Sequence, residues 1–267
     1  VLGWTPQELV GSSVMDLMHP DDRDAAVAAL EGRSGRRSAT LRFRFRRKQG
    51  GWLYFDARGQ AYRDSSGEVR VLVLSRDISE RIRRDEEVAR QSASLALLAS
   101  VSESIHRELD PARVATLALD AIAGYLPFQT LTLQIPDESG EQLELVASFS
   151  RSELTVDLHK GRIPPGAAAH LALRERRIVT VHAPGEKVEE RFRDFMRAAS
   201  IQTVVLVPLL YQDRAEGFIS LLSHEELSLA PHEERDLLAV GTTVASALVS
   251  ARYVRRIEDE VRVRARA

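Results

Sequence analysis

Ser75-Arg76-Asp77-Ile78-Ser79-Glu80-Arg81 follows the apolar run Val69, Val71, Leu72, Val73, Leu74 and opens at once into a charged helical pattern. The sequence predicts a strand that feeds a helix with no loop between. Such a joint can carry a small displacement from a sheet into a helix, whereas a flexible linker dissipates it. The expectation is signalling rather than catalysis.

Upstream of the joint, Leu41, Phe43 and Phe45 alternate with Arg42, Arg44 and Arg46, the period-two pattern of a half-buried strand. Gln49-Gly50-Gly51 turns the chain, Trp52 to Tyr62 forms a second strand, and Asp64-Ser65-Ser66-Gly67 turns it again into Val69 to Ser75. The expectation is a three-stranded antiparallel meander, too short to close on itself. Before it, Thr5-Pro6-Gln7-Glu8 has the form of a capping box with proline at the first helical position. His19-Pro20-Asp21-Asp22-Arg23 opens a further helix with Ala25, Val27, Ala28 and Leu30 on one face, and Gly32 stops it.

Downstream, Val88, Leu95, Ser102 and Leu109 recur every seven positions with Leu98 and Ile105 on the companion row, a heptad seam. Arg84 and Gln91 weaken its first half. A helix continuous from Ser79 to Leu109 would be roughly 45 Å long at about 1.5 Å per residue. Asp110-Pro111 supplies a fresh N-cap for a helix with Val114, Leu117, Ala118, Ala121, Ile122 and Tyr125 on its apolar face. Strand-like runs follow at Thr130 to Ile135, Leu143 to Phe149, Ile178 to Val181, Thr203 to Leu210 and Gly217 to Leu222. Helical patterns lie among them at Ala167 to Glu175 and Val188 to Ala199, so the class is α+β with mainly antiparallel strands. A last helix opens near Pro231 and carries a second seam of Val240, Val244, Ala247, Ala251, Val254, Glu258 and Val261. The two seams predict a homodimer through helices 81–109 and 231–261.

The 267 residues are 44% apolar and 28% charged, which suits two modest cores in a chain of about one to three domains. Net charge is -2; residues 1–84 hold 16 Lys+Arg against 11 Asp+Glu, and the rest 21 against 28. Neither half is basic enough to suggest nucleic acid. The absence of cysteine excludes disulfides, thiolate metal sites and thiol attachment of a chromophore. No apolar run suggests a membrane span and no signal-peptide pattern is visible, so the expected location is cytoplasmic. Val1 stands mid-pattern and Val261 to Ala267 is still helical in character, so the sequence reads as a piece of a longer polypeptide.

Residues 2–30, LGWTPQELVGSSVMDLMHPDDRDAAVAAL, resemble the helical middle of a PAS domain, and the meander with its Arg46 to Gly50 turn and the exit RDISERI at 76–82 resemble that family's last strands and coupling motif. The two strands with which the family opens are missing from the sequence, which predicts a weakened sheet with one open edge. Residues 109–250 resemble a GAF domain through LDPARVATLALDAI, the Pro164-Pro165-Gly166 helix entry, VPLLYQDRAEGFISLLS at 207–223 and the closing HEERDLLAVGTTVASALVSA. The resemblances imply a PAS domain lacking its first strands at 1–80, a coiled-coil signalling helix at 81–109, a GAF domain at 110–250 and an output-linking helix at 251–267. They also imply a six-stranded antiparallel sheet with helices packing into a dimer on one face and a small-molecule pocket on the other. The implied function is the sensory input of a multidomain signalling protein, in the first place a two-component histidine kinase. A non-binding scaffold and the input half of a diguanylate cyclase or phosphatase remain alternatives.

On this resemblance Arg76, Asp77 and Ile78 are the candidate signal-coupling residues, with Asp77 fixing the joint through a cap or ion pair. Phe149, Arg151, His159 and Arg162 are candidate pocket residues, with Lys160 adding positive charge for an anionic ligand. His19 sits in the family's H-P-D-D turn and is expected to be structural rather than a haem ligand. His106 lacks the Arg-Thr continuation of a kinase phosphoacceptor box. The cyclic-nucleotide N-K-x-F-D-E run and the bilin D-I-P motif are both missing, so the sequence names no cofactor. The sequence shows no Ser-His-Asp arrangement, phosphate-cradling glycine loop or metal spacing, so no catalytic or metal site is expected.

Overall fold

The computed structural model describes residues 1–30, 41–105, 108–137, 143–151, 168–183, 190–212 and 214–264. His106, His159, Lys160, Arg162 and Pro164-Pro165-Gly166 lie outside them. The chain forms two compact units, Val1–Gln91 and Ser92–Ala267.

The first unit opens with two short helices, α1 (Pro6–Leu9) and α2 (Val14–Leu17), a 3-10 turn at Pro20–Asp22 and α3 (Arg23–Leu30). The capping box forms, with the Thr5 amide donating to Glu8 Oε2 at 2.9 Å. Strands β1 (Leu41–Arg46), β2 (Trp52–Arg63) and β3 (Val69–Asp77) make the antiparallel meander, in the order β1-β2-β3. The turn before α3 docks on β1 through backbone and charge together. The His19 amide donates to the Arg44 carbonyl at 2.9 Å, and Asp22 Oδ2 accepts the Arg44 amide at 2.7 Å. The Arg44 guanidinium closes on both Asp22 oxygens and on Asp21. His19 Nδ1 accepts the Asp21 amide and its ring meets Trp52 edge-on, a local capping role. Met18, Ala26, Phe43 and Ala57 form a small core, and β3 is exposed along its whole length.

Helix α4 (Ser79–Ile105) starts one residue after β3 ends and spans about 40 Å at 1.5 Å per residue. Its described part ends at Ile105, and residues 108–110 are not helical, so the helix does not reach Leu109. The Asp110 carboxylate caps the next helix, α5 (Pro111–Tyr125), by accepting the Ala112 amide, as the Asp-Pro pair predicts.

Strands β4 (Thr130–Pro136), β5 (Leu143–Ser150), β6 (Val179–His182), β7 (Thr203–Tyr211) and β8 (Arg214–Ser223) form one antiparallel sheet in the order β5-β4-β8-β7-β6. The sheet has five strands among the described residues, not the six implied by family resemblance. The described links between the strands include α6 (Ala168–Glu175) and α7 (Glu190–Ala198). Leu131, Leu133, Val205, Val207, Leu209, Ile219 and Leu221 face α5 and the final helix α8 (Pro231–Arg264). Val179, Val181, Val204, Leu206, Phe218 and Leu222 face the other way, against Ala168 and Ala172 of α6 and Met196 of α7.

The two heptad rows divide between core and surface. Leu97, Val101 and Ile105 of α4 are buried in the second core, while Val88, Leu95 and Leu109 are exposed. In α8, Val240, Val244 and Ala251 pack into the sheet-facing core of their own unit, and Ile257 and Val261 are exposed. Asp236 on α8 ties the helices together. Its carboxylate accepts from the Ser94 hydroxyl of α4 at 2.7 Å and the Tyr125 hydroxyl of α5 at 2.6 Å. The sequence shows no membrane-length run at first sight, yet Pro231–Ile257 of α8 is long and apolar enough to cross a bilayer by length and composition. Its Leu237, Val240, Val244, Ala245, Leu248 and Ala251 are instead buried in the domain core.

Candidate functional site

Two places concentrate the unusual local chemistry, the strand-to-helix joint and the α6-facing side of the second sheet. At the joint, Ile78 is the one residue between β3 and α4. Its amide donates to the Tyr54 carbonyl at 2.9 Å, and its side chain is buried. Asp77 Oδ1 accepts the Ser79 amide at 2.9 Å, an aspartate turn that satisfies a free donor of the first helical turn. Ser79 Oγ accepts the Tyr54 amide at 2.9 Å, and the Ile82 amide donates to the Ile78 carbonyl at 3.0 Å. Tyr54 on β2 therefore holds both Ile78 and Ser79, one through its carbonyl and one through its amide. Each such bond is worth about 0.5–1.5 kcal/mol, and together they leave the backbone no slack between strand and helix. Arg76 is exposed on β3, paired in register with Asp56. Sequence reasoning found Asp77 and Ile78 but not Ser79 or Tyr54. The buried serine had a signal in its place at a helix start, while Tyr54 lies 25 residues away and had none.

Of the candidate pocket residues, Phe149 and Arg151 are described, while His159 and Arg162 lie outside the described residues. Phe149 packs against the core that faces α5, and the Arg151 guanidinium donates to the Ala123 carbonyl of α5 and stands 6.0 Å from the Phe149 ring. Both therefore sit on the α5 side of the sheet.

The opposite side carries a polar stripe. In register across three strands stand Ser148 of β5, Thr132 of β4 and Ser220 of β8, with Leu206 of β7 next in the row. On one side of this row Ser150 pairs with Thr130, the two hydroxyls 3.2 Å apart, and on the other side Gln134 pairs with Phe218. Thr130, Thr132, Gln134 and Ser220 are all buried. Other buried hydroxyls are satisfied: Thr203 Oγ1 donates to the Glu225 carbonyl and accepts the Leu227 amide. Thr132 Oγ1 has no hydrogen-bond partner although the residue is only 1% exposed. An orphaned buried hydroxyl costs about 1–3 kcal/mol. The sequence held a signal for this stripe, because Thr130, Thr132 and Gln134 alternate with Leu131, Leu133 and Ile135 in a strand too apolar to be solvated on either side.

The charged surface of the first unit is organised by carboxylates. Glu8 is held down at about 2 by the Lys48 ammonium first and by the Thr5 amide. The Arg44 guanidinium holds Asp22 below the usual aspartate range and outweighs its partial burial. No cluster of three or more His, Asp or Glu residues among the described residues is arranged to hold a metal ion.

These features meet known architectures in order along the chain. The family model of the PAS fold matches residues 1–74, and that of the GAF domain matches residues 95–248. No curated relative matches the sequence. Among solved structures, the GAF domain of a candidate sensor histidine kinase from Pseudomonas syringae pv. tomato superposes with a TM-score of 0.50 at 15% identity, over 66% of this chain and 99% of that one. The GAF domain of a phosphoenolpyruvate-protein phosphotransferase from Coxiella burnetii gives 0.52 at 16%, over 62% and 98%. The phycoerythrobilin-bound GAF domain of a cyanobacterial phytochrome gives 0.51 at 14%, over 61% and 97%. At these identities the likeness is one of fold: a five-stranded antiparallel sheet with a helical layer on each face. With its model covering more than half of the residues and a PAS fold preceding it, the chain belongs to the GAF domain family.

Proposed function

We propose that this chain is the sensory input and dimerisation module of a multidomain signal-transduction protein, acting in the cytoplasm, with a histidine kinase as its output. The PAS and GAF order and the fold shared with a GAF domain of a candidate sensor histidine kinase support the output class. The single observation that carries the reading is the joint. Ile78 is the only residue between β3 and α4; its amide donates to the Tyr54 carbonyl, Asp77 accepts the Ser79 amide and Ser79 Oγ accepts the Tyr54 amide. A displacement of the first sheet must then move the start of α4. Arg76, Asp77 and Ile78 are the coupling residues, with Ser79 and Tyr54 as their supports. The GAF domain receives the ligand, and the exposed apolar residues Val88, Leu95, Ile257 and Val261 form the dimer contact.

The test is autophosphorylation of the full-length protein with labelled ATP. An acid-labile phosphohistidine is expected, and Asp77→Ala changes its rate by about fivefold or more, the size of a coupling free energy of about 1 kcal/mol. Near-UV circular dichroism stays unchanged. An unchanged rate in Asp77→Ala overturns the coupling role, and a full-length protein without phosphohistidine overturns the kinase output. The same exposed row also favours a second reading, a dimerising scaffold without a ligand. That reading predicts a stable dimer whose output is indifferent to the second sheet.

A further inference from the structure

We infer that the Asp236 carboxylate is a register lock on α4, and that the second unit passes a signal on by releasing Ser94 from it while Tyr125 stays bound. The inference deepens the sensory reading by naming how the second unit holds its incoming helix, and it rests on that reading. Three observations carry it. Asp236 is the only charged side chain buried among the described residues, and its two oxygens serve two different helices, Oδ1 accepting from the Ser94 hydroxyl of α4 at 2.7 Å and Oδ2 from the Tyr125 hydroxyl of α5 at 2.6 Å. Ser94 heads the stripe by which α4 is buried in this unit. Leu97, Val101 and Ile105 follow it on the same helical face, whereas residues 88–93 are all exposed. Helices α5 and α8 are joined independently of the lock, since Val114, Ala118 and Ile122 share one core with Leu237, Val240 and Val244.

The two hydroxyl bonds differ in what they restrain. Apolar burial is non-directional, so Leu97, Val101 and Ile105 hold α4 to the core but fix its place along the axis only loosely. A hydroxyl-to-carboxylate bond is directional and short. Moving α4 by one turn, about 5.4 Å, carries the Ser94 hydroxyl out of reach and leaves a buried charge with one donor fewer. A single buried polar group can in this way set the register of a helix against its neighbours. Loss of the Ser94 bond therefore frees α4, while loss of the Tyr125 bond leaves α5 seated on α8 by its apolar face. Ser94 is also the member of the stripe nearest the joint in sequence, so a push along α4 reaches the lock before it reaches the apolar contacts.

Because the chain has no cysteine, nitroxide labels can be placed at two exposed positions alone, Ser100→Cys on α4 and Ser250→Cys on α8, and their separation measured by double electron-electron resonance in the full chain. Labelled chain is mixed with an excess of unlabelled chain, so that only distances within one copy are read. The unaltered protein is expected to give one narrow distance. Ser94→Ala should at least double its width or add a second distance, and Ser94→Thr, which keeps a hydroxyl, should restore the single narrow one. Tyr125→Phe removes a bond of the same kind from the same carboxylate and should lower the Tm to a similar extent, yet leave the distance narrow. A Ser94→Ala distribution as narrow as that of the unaltered protein overturns the inference. Equal broadening in Tyr125→Phe overturns it too, because Asp236 would then be a source of general stability and not a lock on α4. The distances are read without any output activity, so the lock and the sensory reading fail separately.

Discussion

At Gly241 a Cβ would stand 2.7 Å from the carbonyl oxygen of Pro208, so α8 can lie against β7 only because this residue has no side chain. Two effects compete in Gly241→Ala. Alanine improves helix propensity by about 1 kcal/mol, while forcing a methyl against fixed backbone costs about 1–3 kcal/mol. The backbone oxygen cannot swing aside, so overpacking wins and urea denaturation should show a net loss of about 1 kcal/mol. A gain in stability would mean that α8 stands off the sheet. Single residues were legible where their partners were local. The N-caps Thr5 and Asp110 were plain from the residues that follow them, and Asp77 was marked by the abrupt change from apolar run to charged helix. Tyr54 and Asp236 depend on contacts between segments far apart in sequence, and no pattern along the chain records those.

The elements of the first unit are held by charge as much as by core. Its cluster of Met18, Ala26, Phe43 and Ala57 is small, and Asp22 with Arg44 and Glu8 with Lys48 fasten the early helices and turn to β1 and the residues after it. Both carboxylates have folded values below their ordinary ones, 3.8 for aspartate and 4.5 for glutamate. The unfolded chain therefore binds more protons than the folded one in acid, and stability rises with pH. The contribution is complete above about pH 4.5 and disappears as pH falls through the folded values, about 2 for Glu8. Both tryptophans, Trp4 and Trp52, lie in this unit, so their fluorescence follows it alone. Denaturation midpoints read by tryptophan should fall steadily from pH 4.5 toward 2, and a flat profile would remove these pairs from the account. Element types were mostly legible, and the five strands of the second sheet follow their alternating runs. The sixth came from resemblance alone. The α8 seam was misassigned in part because a helix lying on a sheet and a helix in a coiled coil share the same spacing over a few turns.

For the whole molecule, the division into a small charged unit and a larger apolar one gives each part a different task. The second unit has two buried sheet faces, one closed by α5 and α8 and one packed against α6 and α7. The first unit has little core to enclose a ligand but ends in the joint, and α4 leads from there to Leu97, Val101 and Ile105 in the second core. The central claim is that this joint is stiff. Amide hydrogen exchange in the full chain, resolved by NMR at Tyr54, Ile78, Ser79 and Ile82, tests it most directly, because these four amides span the passage from sheet to helix. All four should exchange slowly and together, and Asp77→Ala should accelerate Ser79 and Ile82 by about tenfold, the equivalent of one lost hydrogen bond. Exchange of Ile78, Ser79 and Ile82 at the rate of an unstructured peptide in the unaltered protein would mean a slack tether, and would contradict the account.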